Sequence, residues 1–296
     1  MAVRTTEARH PASDGLHRRS AEEILATLLA AQIDALAALR PALAALGAAA
    51  EAAAQSLGSG GKLAFAGAGS SGLMALSDRL ELAGTFGIHP DRTPMLFAGG
   101  TAALAHLTGS VEDNPALAEA DVQEAALGPG DLVAVLSASG TTPYALAVAR
   151  AAQARGARVV GLANVAGSAL LEGADFPVLL DTGPEVVSGS TRLGAATAQK
   201  VALNLLSTLV AVRLGHVHDG YMVNVVADND KLVKRAARIV MALAGVGAEA
   251  AEAALEATQG AVKPAVLVAR GLSPADAAAQ LELSGGHLSA ALDGER

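Results

Sequence analysis

None of the 296 residues is cysteine, which excludes a disulfide framework, a thiolate nucleophile and Cys-based zinc or iron–sulfur sites. The reducing cytoplasm is therefore the expected compartment. Aromatics are nearly as scarce: four Phe, two Tyr and no Trp are too few for the stacking platforms of single-strand nucleic-acid binders. A cationic excess is lacking too. Lys plus Arg number 21 against 29 Asp plus Glu, a net charge of −8, so neither nucleic acid nor an anionic membrane surface is an expected partner. Long apolar runs are missing as well, although 52% of residues are hydrophobic. The Ala-rich stretch from Ile24 to Leu57 is interrupted by Gln32, Asp34, Arg40, Pro41 and Glu51, short of the roughly 18 uninterrupted apolar residues of a membrane span. Nor does MAVRTTEARHPASDGLHRRS at the start hold the apolar core of an export signal. No transmembrane span is expected.

The patterning that is present begins with helices. Ser20 and Glu23 stand at capping-box spacing before an apolar-periodic run, which predicts a helix from about residue 21. Pro41 is expected to break it, and a second Ala-rich helix to run to Gly58-Ser59-Gly60-Gly61. Short apolar runs then alternate with helical periodicity. Lys62 to Ala66, Met95 to Ala98, Asp131 to Leu136, Arg158 to Leu162 and Pro177 to Leu180 read as strands, and Pro143 suits a first helical turn with Thr142 as its cap. That alternation predicts an α/β fold with a parallel sheet covered by helices on both faces. Arg192 to Val240 reads as helical, punctuated by Gly215 and Gly220, and the tail beyond Gly245 as about three short helices. The expected organisation is a helical N-terminal arm over 1–57, a ligand-binding sheet domain over 58–240 and a small helical domain over 241–296.

In a parallel sheet, ligands bind beyond the carboxyl ends of the strands, where helix N-termini offer free N–H groups and the positive end of the dipole. Two such loops are rich in hydroxyls: Ser70 and Ser71 follow one strand, and Ser137, Ser139, Thr141 and Thr142 follow another. Glycine permits close backbone approach and the hydroxyls add neutral donors, so the pair can hold a phosphate dianion without Lys or Arg. The same first loop, Gly67-x-Gly69-x-x-Gly72, satisfies a dinucleotide fingerprint, but the next strand ends in Ala98-Gly99-Gly100 without the carboxylate that fingerprint requires. His216-x-His218 could be taken for a metal pair; on the helix expected there the two would point apart, with no acidic partner at a useful spacing.

Three stretches, GAGSSGLMALSDRLELAGTFG (67–87), SASGTTPY (137–144) and above all GPEVVSGSTRLGAATAQKVALNLLS (183–207), resemble the N-acetylmuramic acid 6-phosphate etherase family, which has the sugar isomerase (SIS) fold. Met222-Val223-Asn224-Val225, Asn229-Asp230-Lys231-Leu232 and a TEARHPAS segment from Thr6 extend the resemblance over most of the chain. It implies an enzyme of amino-sugar recycling that removes the D-lactyl ether from C3 of the sugar and puts water in its place. With the ring open, the C1 aldehyde acidifies the C2 proton and the lactyl oxygen lies β to it. A base takes the proton, an acid assists departure, and water adds back; no metal or redox cofactor is needed. The resemblance assigns the acid/base roles to Glu81 and Glu112, and brings Glu185, Ser188, Ser190 and Thr191 to the sugar site. It also implies a homodimer. Leu73 and Thr141 stand where the family usually has Arg, Thr101 where it has Glu, and Ala83-Gly84 where two prolines are common. The competing possibilities are a sugar-phosphate sensor resembling glucokinase regulatory protein, which needs the phosphate loops but not two carboxyl groups, and an aldose–ketose isomerase on the same fold.

Overall fold

The computed structural model describes residues 5–107 and 109–293. After three short 3-10 turns, α1 (Ala21–Leu36) starts at the expected capping box: Ser20 Oγ accepts from Glu23 N at 3.3 Å while Ser20 N donates to the Glu23 carboxylate at 2.8 Å. The helix stops at Ala37–Ala38 rather than at Pro41. Pro41 lies in the first turn of α2 (Leu39–Gly58), where its missing N–H has no helical partner to lose. Ala49, Ala50 and Ala53 of α2 are wholly buried, and these small side chains let the helix lie close over the sheet, against β1, β3 and β5.

Five strands, β1 (Leu63–Gly67), β2 (Met95–Phe97), β3 (Leu132–Leu136), β4 (Arg158–Ala163) and β5 (Phe176–Leu179), form one sheet in the order β2-β1-β3-β4-β5, every pair parallel. All residues of β1 and β3 are buried, as strands covered on both faces must be. The helices that follow β1 and β3, α3 (Gly69–Phe86) and α6 (Pro143–Ala154), lead outward in opposite directions along the sheet, so β1 and β3 flank its topological switch point. Shorter helices α4 (Gly100–Ala105), α5 (Ala116–Glu124) and α7 (Ala169–Gly173) fill the remaining connections, and α8 (Gly194–Arg213) follows β5. By length and hydropathy α8 could cross a membrane, as could α1 and α2 taken together, but 56% of its most apolar window is buried inside the protein, as in a core helix.

Packing does not divide the chain at 57/58 and 240/241. One compact unit takes the residues up to Arg79 with Asp91–Ser207; the other takes Leu80–Pro90 with Thr208 onward. The N-terminal helices join the first unit through the alanine face of α2. In the second, the helical expectation for 192–240 fails beyond Arg213. A hairpin, β6 (Val217–His218) and β7 (Tyr221–Met222), turns at Asp219-Gly220, both at positive φ (46° and 78°) as a two-residue hairpin loop demands. His216 and His218 thus belong to a hairpin, not to a helix face. After it come α9 (Asp230–Ala244), capped by Asn229, and four further helices rather than three: α10 (Ala248–Ala257), α11 (Val262–Ala269), α12 (Pro274–Leu283) and α13 (Leu288–Asp293). They enclose their own core around Ile239, Val240, Leu255, Val266 and Leu288.

Candidate functional site

Both hydroxyl-rich loops emerge at the switch point, since Gly67 at the end of β1 is in register with Leu136 at the end of β3. The first is held close to the sheet by glycine. A Cβ on Gly67 would come within 2.9 Å of Gly72 Cα, and one on Gly72 within 2.7 Å of the Phe97 ring, so no larger residue lets the first turn of α3 lie this near the strands. Ser70 and Ser71 sit in that turn, with Ser71 buried. The second loop folds on its own hydroxyls. Ser137 Oγ lies 2.8 Å from Thr142 Oγ1, and Ser139 Oγ accepts from Thr141 N at 3.2 Å and from Thr141 Oγ1 at 3.0 Å. Thr142 occupies the N-cap position of α6 as expected, but its hydroxyl turns to Ser137 instead of capping the helix. Gly140 (φ +64°) fixes the turn: a Cβ there would stand 2.1 Å from Ser168 Oγ.

Glu112 follows a 3-10 turn, and its backbone carbonyl accepts from Tyr144 N at 3.1 Å, which ties it to the start of α6. Its carboxylate reaches the other loop, because a Cβ on Gly69 would lie 2.5 Å from Glu112 Oε1. Glu112 and Asp113 share an open cleft of about 330 Å³ with Ser139, Thr141, Thr142 and Pro143. Burial, reinforced by the negative charge of Asp113, raises the Glu112 carboxyl above the ordinary range. A carboxyl group biased towards protonation, beside hydroxyls and two helix N-termini, has the chemistry of a general acid/base next to an anion cradle.

Glu81 belongs to the second compact unit. It is exposed, and it shares a cleft of about 250 Å³ with Gly84, Thr85, Asn229, Lys231, Leu232 and Arg235. The third loop is organised differently from the other two. Glu185 is buried, and its carboxylate accepts from Gly194 N at 3.0 Å and Ala195 N at 2.9 Å, closing the N-terminus of α8. Ser188 Oγ donates to the carbonyl of Glu7 at 2.8 Å, while Ser190 and Thr191 form the turn that leads into the helix. Two polar features leave little trace in the sequence. Asn164, just past β4, is completely buried, donates to the Leu180 carbonyl and accepts from Gln199 Nε2 at 3.0 Å, joining β4 to α8; a lone amide ending an apolar strand was its only signal. Asp113 is noticeable only through the cleft it shares with Glu112.

A model of the SIS domain matches residues 27–164. The N-acetylmuramic acid 6-phosphate etherase of Deinococcus radiodurans is 45% identical over 285 residues, covering 96% of this chain and 93% of its own length. That of Mycolicibacterium smegmatis is 39% identical over 293 residues, 99% and 98% of the two chains. Among solved structures, the phosphoheptose isomerase of Neisseria gonorrhoeae superposes with a TM-score of 0.51 at 21% identity, over 65% of this chain and 100% of its own, a likeness of fold alone. Identity of this order, carried end to end and not confined to the Gly/Ser loops that many folds share, means that the chain belongs to the N-acetylmuramic acid 6-phosphate etherase family.

Proposed function

We propose that this protein is an N-acetylmuramic acid 6-phosphate etherase, a carbon–oxygen lyase that cleaves the D-lactyl ether by elimination and hydration to give N-acetylglucosamine 6-phosphate and D-lactate. The observation that carries this is the meeting of Glu112, its carboxyl raised, with Ser139, Thr141 and Thr142 in one cleft at the switch point of the sheet. Ser70, Ser71, Ser137, Ser139 and Thr142 form the phosphate cradle, with the N-termini of α3 and α6 supplying backbone N–H groups.

Glu112 and a second carboxyl group, the role that the family resemblance gives to Glu81, divide the proton transfers. One removes the C2 proton of the open-chain sugar, and electrons flow into the C2–C3 bond as the C3–O bond breaks. The other delivers a proton to the departing lactyl oxygen, leaving an α,β-unsaturated aldehyde. Water then adds at C3 while C2 is reprotonated, so each carboxyl ends in the state in which it began. A group raised towards neutrality by burial suits this exchange of roles. Glu185 is assigned to holding α8, and through it the 188–191 loop, in place beside the sugar.

The enzyme works in the cytoplasm, consistent with the absence of cysteine, and as a homodimer. Leu25, Leu29 and Ile33, 66%, 61% and 59% exposed, make an apolar stripe at helical spacing on α1 that a second copy of the chain would cover. The test is lactate release by Glu112→Gln beside the parent. Turnover falls about 10²–10⁴-fold with sugar-phosphate binding nearly intact if the carboxyl transfers protons, and equal turnover overturns the assignment.

A further inference from the structure

The second compact unit has an open cleft that the etherase chemistry does not use. It measures about 420 Å³; Val223, Val225 and Val262 are among its apolar lining residues and Asn224, Gln259 and Lys263 among its polar ones, the Asn224 amide already donating to the Phe86 carbonyl at 2.9 Å. Lys263 is only 8% exposed. Its ammonium donates to the Gly286 carbonyl at 2.8 Å, and no carboxylate pairs with it among the described residues. Two more basic side chains stand nearby. His287 packs against Gly215, and the Nδ1 of His216 is buried without a hydrogen-bond partner. Burial, then the charge of Lys263, hold His216 down to about 4, with His287 adding to the effect. Burial alone lowers Lys263 to about 8, with no acidic group acting to raise it. In a chain of net charge −8, one buried ammonium thus stands near two partly buried imidazoles, neither of which lines the cleft, and no acid pairs with it among the described residues. A buried ammonium without a counter-charge is costly.

One edge of the cleft is the end of a helix. Gln259 adopts a φ of +55° at the end of α10, a conformation glycine takes freely and other residues rarely adopt. Gly260, also at positive φ, follows it immediately. The turn closes the end of α10, Gly260 N donating to the Leu255 carbonyl at 2.8 Å, and it leaves Gln259 exposed among the residues that line the cleft, where its carboxamide can turn towards a ligand.

We propose that this cleft is a binding site for a small organic monocarboxylate, with Lys263 as counter-charge, the Gln259 carboxamide as a hydrogen-bond donor to the carboxylate, and the valine walls around a short apolar tail. One ammonium with one carboxamide and apolar walls fits a monoanion with a hydrocarbon end better than a phosphate dianion, which would need more donors. All of the residues that line the site belong to the second unit, and none belongs to the hydroxyl loops.

The probe is sodium propionate, with thermal unfolding of the full chain followed at matched ionic strength in sodium chloride. Propionate in large excess raises the unfolding temperature of the parent by about 3 °C or more, and raises that of Ser139→Ala equally, since the phosphate cradle is not involved. Gln259→Gly, relieved of its strained backbone, unfolds at a higher temperature than the parent without propionate and gains at most half as much from it. Lys263→Met gains nothing. The proposal is overturned if propionate does not stabilise the parent, if inorganic phosphate stabilises it and propionate does not, or if Gln259→Gly responds as fully as the parent. Should Lys263→Met fail to fold, the Gln259→Gly comparison decides the matter.

Discussion

Substituting Glu185 by Gln separates a structural carboxylate from a substrate ligand. Both oxygens of Glu185 are occupied, one by Gly194 N at 3.0 Å and the other by Ala195 N at 2.9 Å, in a buried site at the positive end of the 20-residue helix α8. Each is a hydrogen bond to a charged group, with a net value of about 1.5–3 kcal/mol. Glutamine keeps the shape and one acceptor, so one backbone N–H is left facing an amide NH2 in a buried place. The favourable interaction of the charge with the helix dipole, up to about 2 kcal/mol in partly buried geometry, is lost as well. Because the two losses overlap, the net destabilisation is about 2–4 kcal/mol. Urea unfolding monitored on the first unit reads this as a midpoint lowered by about 1 M with unchanged slope. Sugar-phosphate affinity measured under fully folding conditions stays within about threefold. A stability change under about 0.5 kcal/mol, accompanied by a tenfold or greater loss of affinity, refutes the structural assignment and returns Glu185 to the substrate.

Two further perturbations follow from the loops. Gly140→Ala puts a methyl group 2.1 Å from Ser168 Oγ in a backbone at φ +64°; the loop must shift, and calorimetry shows a loss of roughly 2 kcal/mol or more together with weakened sugar-phosphate binding. Asp113→Asn removes a negative charge that helps to raise Glu112. The Glu112 carboxyl then ionises at lower pH, so the acidic limb of the kcat/KM profile, where the base becomes protonated, moves to lower pH; an unmoved limb rules out Glu112 as the group that titrates there.

The parallel sheet and its hydroxyl loops were legible in the sequence because they rest on local signals. Apolar runs such as Leu132–Leu136 end in Gly/Ser segments, and buried parallel strands leave that trace without help from the rest of the chain. Pro41 does not mark the break, which falls at Ala37–Ala38, because proline is compatible with a first helical turn as well as with a break. The hairpin at Asp219-Gly220 was lost among helical neighbours, its strands being only two residues each. At the site, sequence spacing brought Ser137, Ser139 and Thr142 together because one turn holds them. The approach of Glu112 to Gly69 depends on tertiary packing over more than 40 positions, and no local pattern announces it. Glu185 shows the opposite limit: its segment was recognisable by resemblance, but whether a buried carboxylate meets a ligand or a helix end is decided only by what lies opposite it.

The central claim is that a C2 proton is removed and the C3–O bond is cleaved by the side chains of this protein. The direct measurement incubates the full chain with N-acetylmuramic acid 6-phosphate in D2O and follows D-lactate and the C2 position of the sugar together by NMR. The account predicts D-lactate and N-acetylglucosamine 6-phosphate in equal amounts, the latter carrying solvent deuterium at C2. Saturable binding of the sugar phosphate with neither lactate release nor deuterium at C2 would contradict it, and would make the protein a sensor of the same ligand.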